Sequence, residues 1–316
     1  MLRKDWRSAE PALLCVDLDR WPADLPIDPL PPCPLIGVGD VGHVAASHVD
    51  AWAEPAIPLP ALTRGIAANP RASAVLVHLL RSIAPLPATA ALTCESLAFA
   101  TLQAGSEHRR WHEAVRRASA LTPGILHLAR DGDVLTATID RQAARNAIDR
   151  AMRDALFDAF TLAASDPTIV RVVLQGAGRC FSMGADLGEF GTVGDAAEAH
   201  LLRMRTLPAR ALLRRDGILH ADVRGGCVGS GLELAAFAAR LTASPDAWFQ
   251  LPEVAMGILP GAGGCVSLPR RIGRQRAAAL MLSGKRIGVG VASDWGLIDA
   301  IVDNAAADNG HAHRPG

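Results

Sequence analysis

The chain has 316 residues, half of them hydrophobic, and its 32 Lys and Arg are balanced by 32 Asp and Glu. That length suits one large domain or two modest ones with a sizeable core, and zero net charge excludes the basic field that gathers nucleic acid or an anionic membrane. No apolar run reaches the roughly 18 residues of a membrane span, and Met1–Glu10 is too charged for a secretory signal. The expectation is a soluble, cytoplasmic protein with no nucleic-acid or membrane partner. Cys15, Cys33, Cys94, Cys180, Cys227 and Cys265 form no CxxC pair and have no histidine at zinc spacing, so they read as reduced, mostly buried side chains, and no metal site is expected.

Residues 1–60 form a proline-rich extension. "RWPADLPIDPLPPCPLIGVGD" cannot stay helical, because each proline removes a donor and restricts its predecessor. Extended chain and turns are predicted there, with one short strand at Ala12–Asp19. Over residues 61–120 the apolar period becomes helical, in "ALTRGIAANPRASAVLVHLLRSI" and "ATAALTCESLAFATLQAGSEHRRWHEAVRRA", giving a module of three helices broken at Pro70 and at Pro85–Pro87. A new unit starts near Gly124, and residues 121–303 read as its core. "ILHLARDGDVLTATID" alternates around Asp131-Gly132 as a hairpin. A helix follows over Ala147–Ala164, a buried strand over Ile169–Gly176, and a glycine turn into a helix at "GADLGEF". Strands at "ILHADVRGG" and "ARLTAS" flank a further turn and helix, an alternation of the α/β class. Residues 304–316 read as a flexible tail.

Two stretches share the order strand, glycine turn, helix start: "GRCFSMGADLGEF" (Gly178–Phe190) and "RGGCVGSGLELAAF" (Arg224–Phe237). Glycine allows close backbone approach, and the first amides of a helix lack internal acceptors and lie at the positive end of its dipole. Facing each other, two such turns could hold one oxygen on which charge develops. Neither stretch matches a dinucleotide fingerprint or a phosphate loop, and Val228 breaks the GxSxG frame around Ser230.

These stretches, with "TIDRQAARNAID" (Thr138–Asp149), "FQLPEVAMGILPGAGG" (Phe249–Gly264) and "LSGKRI…DWGLIDAIVD" (Leu282–Asp303), resemble the crotonase superfamily, also called the enoyl-CoA hydratase/isomerase family. The resemblance implies a crotonase-like spiral core of ββα units and a CoA-thioester substrate, with coenzyme A present only as part of that substrate. It implies two backbone amides, those of Ala185 and Ser230, on the thioester oxygen, the second being usually glycine in the family. Glu233 and Glu253 match the paired glutamates of the hydratases, one activating water and one delivering a proton, with the Gly261 amide near the water. Arg145, Ala147, Met183, Asp186 and Leu187 match the segments along which CoA lies.

Enoyl-CoA hydratase is the leading reading. Enoyl-CoA isomerase, CoA-thioester hydrolase and a catalytically silent CoA-ester-binding or assembly subunit stay open. The residues alone also allow Glu233 to stabilise a helix N-terminus by about 0.3–1 kcal/mol, Glu253 to be an exposed loop charge, Arg145 a solvated one and Asp186 a helix-start residue. Pocket-lining residues are expected around Gly191–Arg205, whereas His200, Met204, His311 and His313 read as surface or packing residues. The family assembles as homo-oligomers, trimers or dimers of trimers, and this is the expectation here. Residues 62–82 and 91–117 resemble the family's final helices, "A..IA.NP..A....K.LL" and "E...F..L..S.DH.EG..AF..KR", which implies a circular permutation joined through "ASALTPG"; a duplicated or unrelated helical domain stays open, since Arg110 and Val115 depart from the pattern.

Overall fold

The computed structural model describes residues 11–22, 29–114 and 122–303. The tail beyond 303, with His311 and His313, lies outside the described residues, as do residues 118–121 of the expected joining segment.

The proline-rich start is more ordered than its composition predicts. Strands β1 (Leu14–Asp17), β2 (Leu35–Val38) and β3 (Ala51–Trp52) form a parallel sheet in that order, over a small apolar cluster of Val16, Leu18, Leu35, Ala45, Ala46 and Val49. One strand was expected and three form, because the prolines fall between the strands: Pro31, Pro32 and Pro34 precede β2 and none lies within it. Asp50, 1% exposed, ties this sheet down. Its carboxylate accepts the Leu35 amide at 2.8 Å and the Arg81 guanidinium at 2.5 and 2.8 Å, with Arg274 at 3.4 Å. A buried carboxylate is tolerated when paired in this way.

The helical module has four helices rather than three: α1 (Leu59–Ala68), α2 (Pro70–Ile83), α3 (Ala88–Gln103) and α4 (Ser106–Ala114). The breaks fall at Pro70, which begins α2 at its first position, and at the Pro85–Pro87 stretch, as proline chemistry requires.

The core unit opens with the antiparallel hairpin β4 (Ile125–Asp131) and β5 (Val134–Asp140). Leu135, Ala137 and Ile139 alternate inward along β5. Helix α5 (Arg150–Ser165) starts three residues later than its apolar period suggests, because the Asp149 side chain caps it by accepting the Met152 amide at 2.8 Å. Then come β6 (Arg171–Gly176), α6 (Ala196–Thr206), α7 (Pro208–Leu212), β7 (Leu219–Val223), β8 (Gly226–Val228), α8 (Ser230–Ala235), β9 (Arg240–Ala243), β10 (Trp248–Gln250), α9 (Gly264–Ile272), α10 (Arg274–Ser283), β11 (Ile287–Gly288), α11 (Val289–Asp294) and β12 (Ala300–Ile301). One sheet runs β12-β9-β7-β6-β5-β4, parallel except for the hairpin, and a second runs β11-β10-β8. Successive turns of the chain, β7-β8-α8 and β9-β10-α9, place one strand in each sheet before the helix, which is the expected spiral of ββα units. At "GADLGEF" the predicted helix is a single 3-10 turn, Leu187–Glu189, capped by Asp186.

Helices α1–α3 share one apolar core with α9 and α10. The closest approach is at Gly65 of α1, where an added Cβ would fall 2.0 Å from the Leu282 carbonyl oxygen. Gly65→Ala is therefore expected to push α1 off α10 and to lower stability by about 2–3 kcal/mol, measured by urea denaturation; an unchanged midpoint would show that this crossing does not hold the module to the core.

Candidate active site

The two glycine turns meet back to back. Ser182 pairs in parallel with Cys227, its amide donating to the Gly226 carbonyl and its carbonyl accepting the Val228 amide. Ser182 Oγ accepts the Gly184 amide at 3.2 Å and donates to the Asn146 carbonyl at 2.8 Å, which fixes the first turn. Gly184 has φ +93° and Gly229 φ +49°, conformations that disfavour any side chain. A Cβ on Gly229 would sit 3.5 Å from the Gly184 Cα and 2.6 Å from Glu253 Oε1. The residues after these glycines are Ala185 and Ser230, and both line the same cavity of about 210 Å³. Neither amide donates to a partner among the described residues. Ser230 opens α8, where an amide has no intrahelical acceptor. Serine is tolerated at this position because the left-handed angle falls on Gly229 instead.

The carboxylates stand one step behind that cavity wall. Glu233, 2% exposed, accepts the amides of Ala262 at 2.7 Å and Gly264 at 2.8 Å through one oxygen. Ala262 and Gly261 themselves line the cavity, whereas Glu233 and Glu253 do not. Burial pushes the Glu233 carboxyl up to about 7, the amides of Gly264, Ala262 and Gly261 pulling the other way. Glu253 is buried rather than being an exposed loop charge, and its Oε2 has no hydrogen-bond partner. Burial raises it well above the ordinary carboxylate range, and repulsion from Glu233 adds to the rise.

The other expected residues are also brought together. The Arg145 carbonyl accepts the Met183 amide at 3.1 Å, and Ile148 donates its amide to the Gly184 carbonyl and accepts the Asp186 amide, so residues 145–148 lie along 183–186. Arg145 is exposed and Ala147 half-buried, and Leu187 is exposed. Asp186 has structural work: it accepts Arg141 Nη1 at 2.6 Å and the Gly188 amide at 2.8 Å. Gly191, Thr192, Val193, Leu202 and Arg203 line the cavity. His200 bonds Ser96 Oγ at 2.9 Å, and Met204 Sδ accepts Arg210 Nη1 at 3.5 Å, consistent with packing roles. Among the described residues no cluster of ligating side chains could hold a metal ion, and no helix is long and apolar enough to cross a membrane.

A third buried glutamate was not singled out from the sequence. Glu95 of α3, 0% exposed, accepts the Gly263 amide at 2.7 Å and the Cys265 amide at 2.8 Å. Burial raises its carboxyl well above the ordinary value, with repulsion from Glu233 in the same direction. Its partners are 168 and 170 residues away, so no local pattern marks it. The one available signal was the likeness of Ala91–Arg117 to the "E...F" helix, whose two fixed letters fall on Glu95 and Phe99.

Residues 129–313, more than half of the chain, match the enoyl-CoA hydratase/isomerase family. The chain belongs to that family. Its relatives within the enoyl-CoA hydratase/isomerase family include the 2,3-dehydroadipyl-CoA hydratase of Escherichia coli K12, 35% identical over 176 residues, 56% of this chain and 68% of that protein. The mevalonyl-coenzyme A hydratase SIDH of Beauveria bassiana is 33% identical, with 54% of this chain and 63% of that protein covered. Among solved structures, an enoyl-CoA hydratase from Thermoplasma volcanium GSS1 is 36% identical with a TM-score of 0.52, over 57% of this chain and 72% of that one. An enoyl-CoA hydratase subunit from Geobacillus kaustophilus HTA426 is 29% identical with a TM-score of 0.51, over 56% and 68%. The family match begins inside β4, so the small sheet and α1–α4 lie outside it.

Glu95→Ala would leave the Gly263 and Cys265 amides buried without an acceptor. A loss of about 2–4 kcal/mol of stability is expected, read as the denaturation midpoint at constant slope. A midpoint at the wild-type value would mean that the turn before α9 does not depend on this carboxylate.

Proposed function

We propose that this protein hydrates an α,β-unsaturated acyl-CoA thioester. What supports the reading is that Ala185 and Ser230, whose amides have no partner among the described residues, line one cavity backed by two buried carboxyls of raised pKa. The thioester oxygen accepts both amides, so negative charge developing on it in the transition state is stabilised and the β-carbon becomes electrophilic. Glu233, ionised above about pH 7, takes a proton from water as the oxygen adds to the β-carbon. Glu253, held protonated by burial and by Glu233, delivers the proton to the α-carbon. Burial raises both carboxyls and repulsion from Glu233 adds to the rise of Glu253, a difference that suits water addition, which needs a base and an acid at once. The Gly261 amide, beside Glu233 and on the cavity wall, is suited to orient the water. CoA is placed along Arg145, Ala147, Met183 and Leu187, with Asp186 holding the second of these segments through Arg141. The hydratases and dehydratases of CoA esters among the relatives support the same class of reaction.

Glu233→Gln and Glu253→Gln are each expected to reduce kcat by about 10²–10⁴-fold with CoA-ester binding largely kept, assayed on crotonyl-CoA and a panel of longer enoyl-CoAs. Ligand binding without turnover by the unsubstituted protein would replace this reading with that of a binding subunit. Because the base must be ionised, kcat/KM should fall as the pH drops through about 7, and a limb near 4 would exclude a buried Glu233 from that role.

We further infer that α1–α4 are the family's C-terminal helices moved ahead of the core by circular permutation. The shared apolar core and the reach of Glu95 into the Gly263–Cys265 turn support this over an unrelated appended module. A chain rewired to run from residue 122 to 316 and then into residues 1–121 is expected to fold and to keep turnover within about tenfold of the natural order. A soluble, folded but inactive product would speak for a separate module.

A further inference from the structure

Arg203 of α6 reaches into the cavity as a cation that no carboxylate answers. Its Nε donates to Ser96 Oγ at 3.0 Å and one terminal nitrogen to the Ser96 carbonyl at 3.2 Å, and its guanidinium carbon lies 4.5 Å over the Phe99 ring. Its other terminal nitrogen, Nη1, has no partner among the described residues, and no carboxylate lies within ion-pair distance of it. Several other half-buried or buried arginines are answered by a carboxylate: Arg81 and Arg274 share Asp50, Arg141 holds Asp149 and Asp186, Arg271 holds Asp299 and Arg276 holds Glu54. Arg215 gives one terminal nitrogen to three carbonyls, and Arg210, bonded to Met204 Sδ, does not line the cavity.

Glu95 is the nearest source of negative charge, and it draws the Arg203 pKa upward against burial, which lowers it to about 10. Both Glu95 oxygens, however, are engaged by backbone amides. Arg203 is thus charged at neutral pH, partly desolvated and short of an anion, a state that is costly unless a ligand completes it. Arg150 and Arg153 also line the cavity, but Arg150 is exposed and Arg153 is paired with Asp154.

A second group in the cavity lacks a partner. Gln103, one turn beyond Phe99 on α3, lines the cavity with its Oε1 buried and unbonded. Its amide can present either its oxygen or its NH₂ to a ligand. The position relative to the reacting centre is set by Phe99, whose ring edge would lie 2.2 Å from a Cβ on Gly261. Arg203 is therefore one aromatic ring away from the amide suited to orient the water, which favours a short acyl chain.

We propose that Arg203, helped by Gln103, binds a carboxylate at the far end of the acyl chain, so that the preferred substrates are short-chain enoyl-CoA esters of dicarboxylic acids. This rests on the CoA-ester reading above. A guanidinium gives two parallel charge-assisted bonds to a carboxylate, which a neutral chain end cannot receive.

The test is calorimetric binding of two saturated esters of equal length, adipyl-CoA and hexanoyl-CoA. The unsubstituted protein is expected to bind adipyl-CoA about ten- to a hundredfold more tightly. Arg203→Gln should abolish that preference with the hexanoyl-CoA Kd unchanged, and Gln103→Leu, which leaves the Ser96 contacts in place, should reduce it. Equal binding of both esters overturns the proposal while leaving the CoA-ester reading standing. So does a preference that survives Arg203→Gln, and so does equal weakening of both esters in that variant, which would mean that Arg203 reads the CoA phosphates or only braces Ser96. Failure of the unsubstituted protein to bind either ester overturns both readings together.

Discussion

Four consecutive amides, from Ala262 to Cys265, are divided between two buried carboxylates from distant parts of the chain, Glu95 and Glu233. Glu233 takes the first and third, Glu95 the second and fourth. Each carboxylate would be too costly to bury alone, and the amides ahead of α9 would be orphaned without them. Their mutual repulsion is the cost of holding both so close, and it raises Glu95 further. The alternation fixes the path of the turn from both sides, and that turn carries Gly261 and Ala262 into the cavity wall.

The rest of the site is arranged around that clamp. With Glu233 committed to the turn through one oxygen, α8 is pinned, and Ser267 Oγ adds a bond of 2.8 Å to the Glu233 carbonyl. Pinning α8 sets Ser230 at its start and Gly229 before it, and Gly229 leaves just the room that Glu253 Oε1 occupies. Where Ala185, Ser230, Gly261 and Ala262 meet the cavity its wall is therefore largely backbone, and Glu233 and Glu253 stand behind it. The helical module adds Phe99 and Gln103 to the wall. Through His112, which contacts the Phe190 carbonyl at 3.1 Å, α4 also holds the loop leading to Gly191.

Much of this was legible in the sequence where the signal is local. Proline and glycine marked the helix breaks at Pro70 and Pro85–Pro87, the Asp131-Gly132 hairpin formed as read, and the paired glycine turns with Glu233 and Glu253 came from motifs a few residues long. Long-range demands were hidden. Nothing near Asp50 says that it will bind arginines from two distant helices, so the N-terminal sheet was underestimated. The helix expected at Leu187–Glu189 failed because Asp186 is tied to Arg141 and the segment ends after one turn. Glu95 and Arg203 are ordinary charges on helices until the fold places the first against a turn 168 residues away and the second on the cavity wall.

The order of the elements along the chain has a consequence for its birth on the ribosome. Helices α1 and α2 leave the exit tunnel early, yet part of the surface they cover belongs to α9 and α10, some 180 residues later in synthesis. At about 5–20 residues per second, Leu62, Leu76 and Leu80 wait about 10–40 s for their partners. During that interval a greasy helical hairpin is on offer to chaperones and to neighbouring nascent chains, an exposure that a chain of the same parts in the opposite order would avoid.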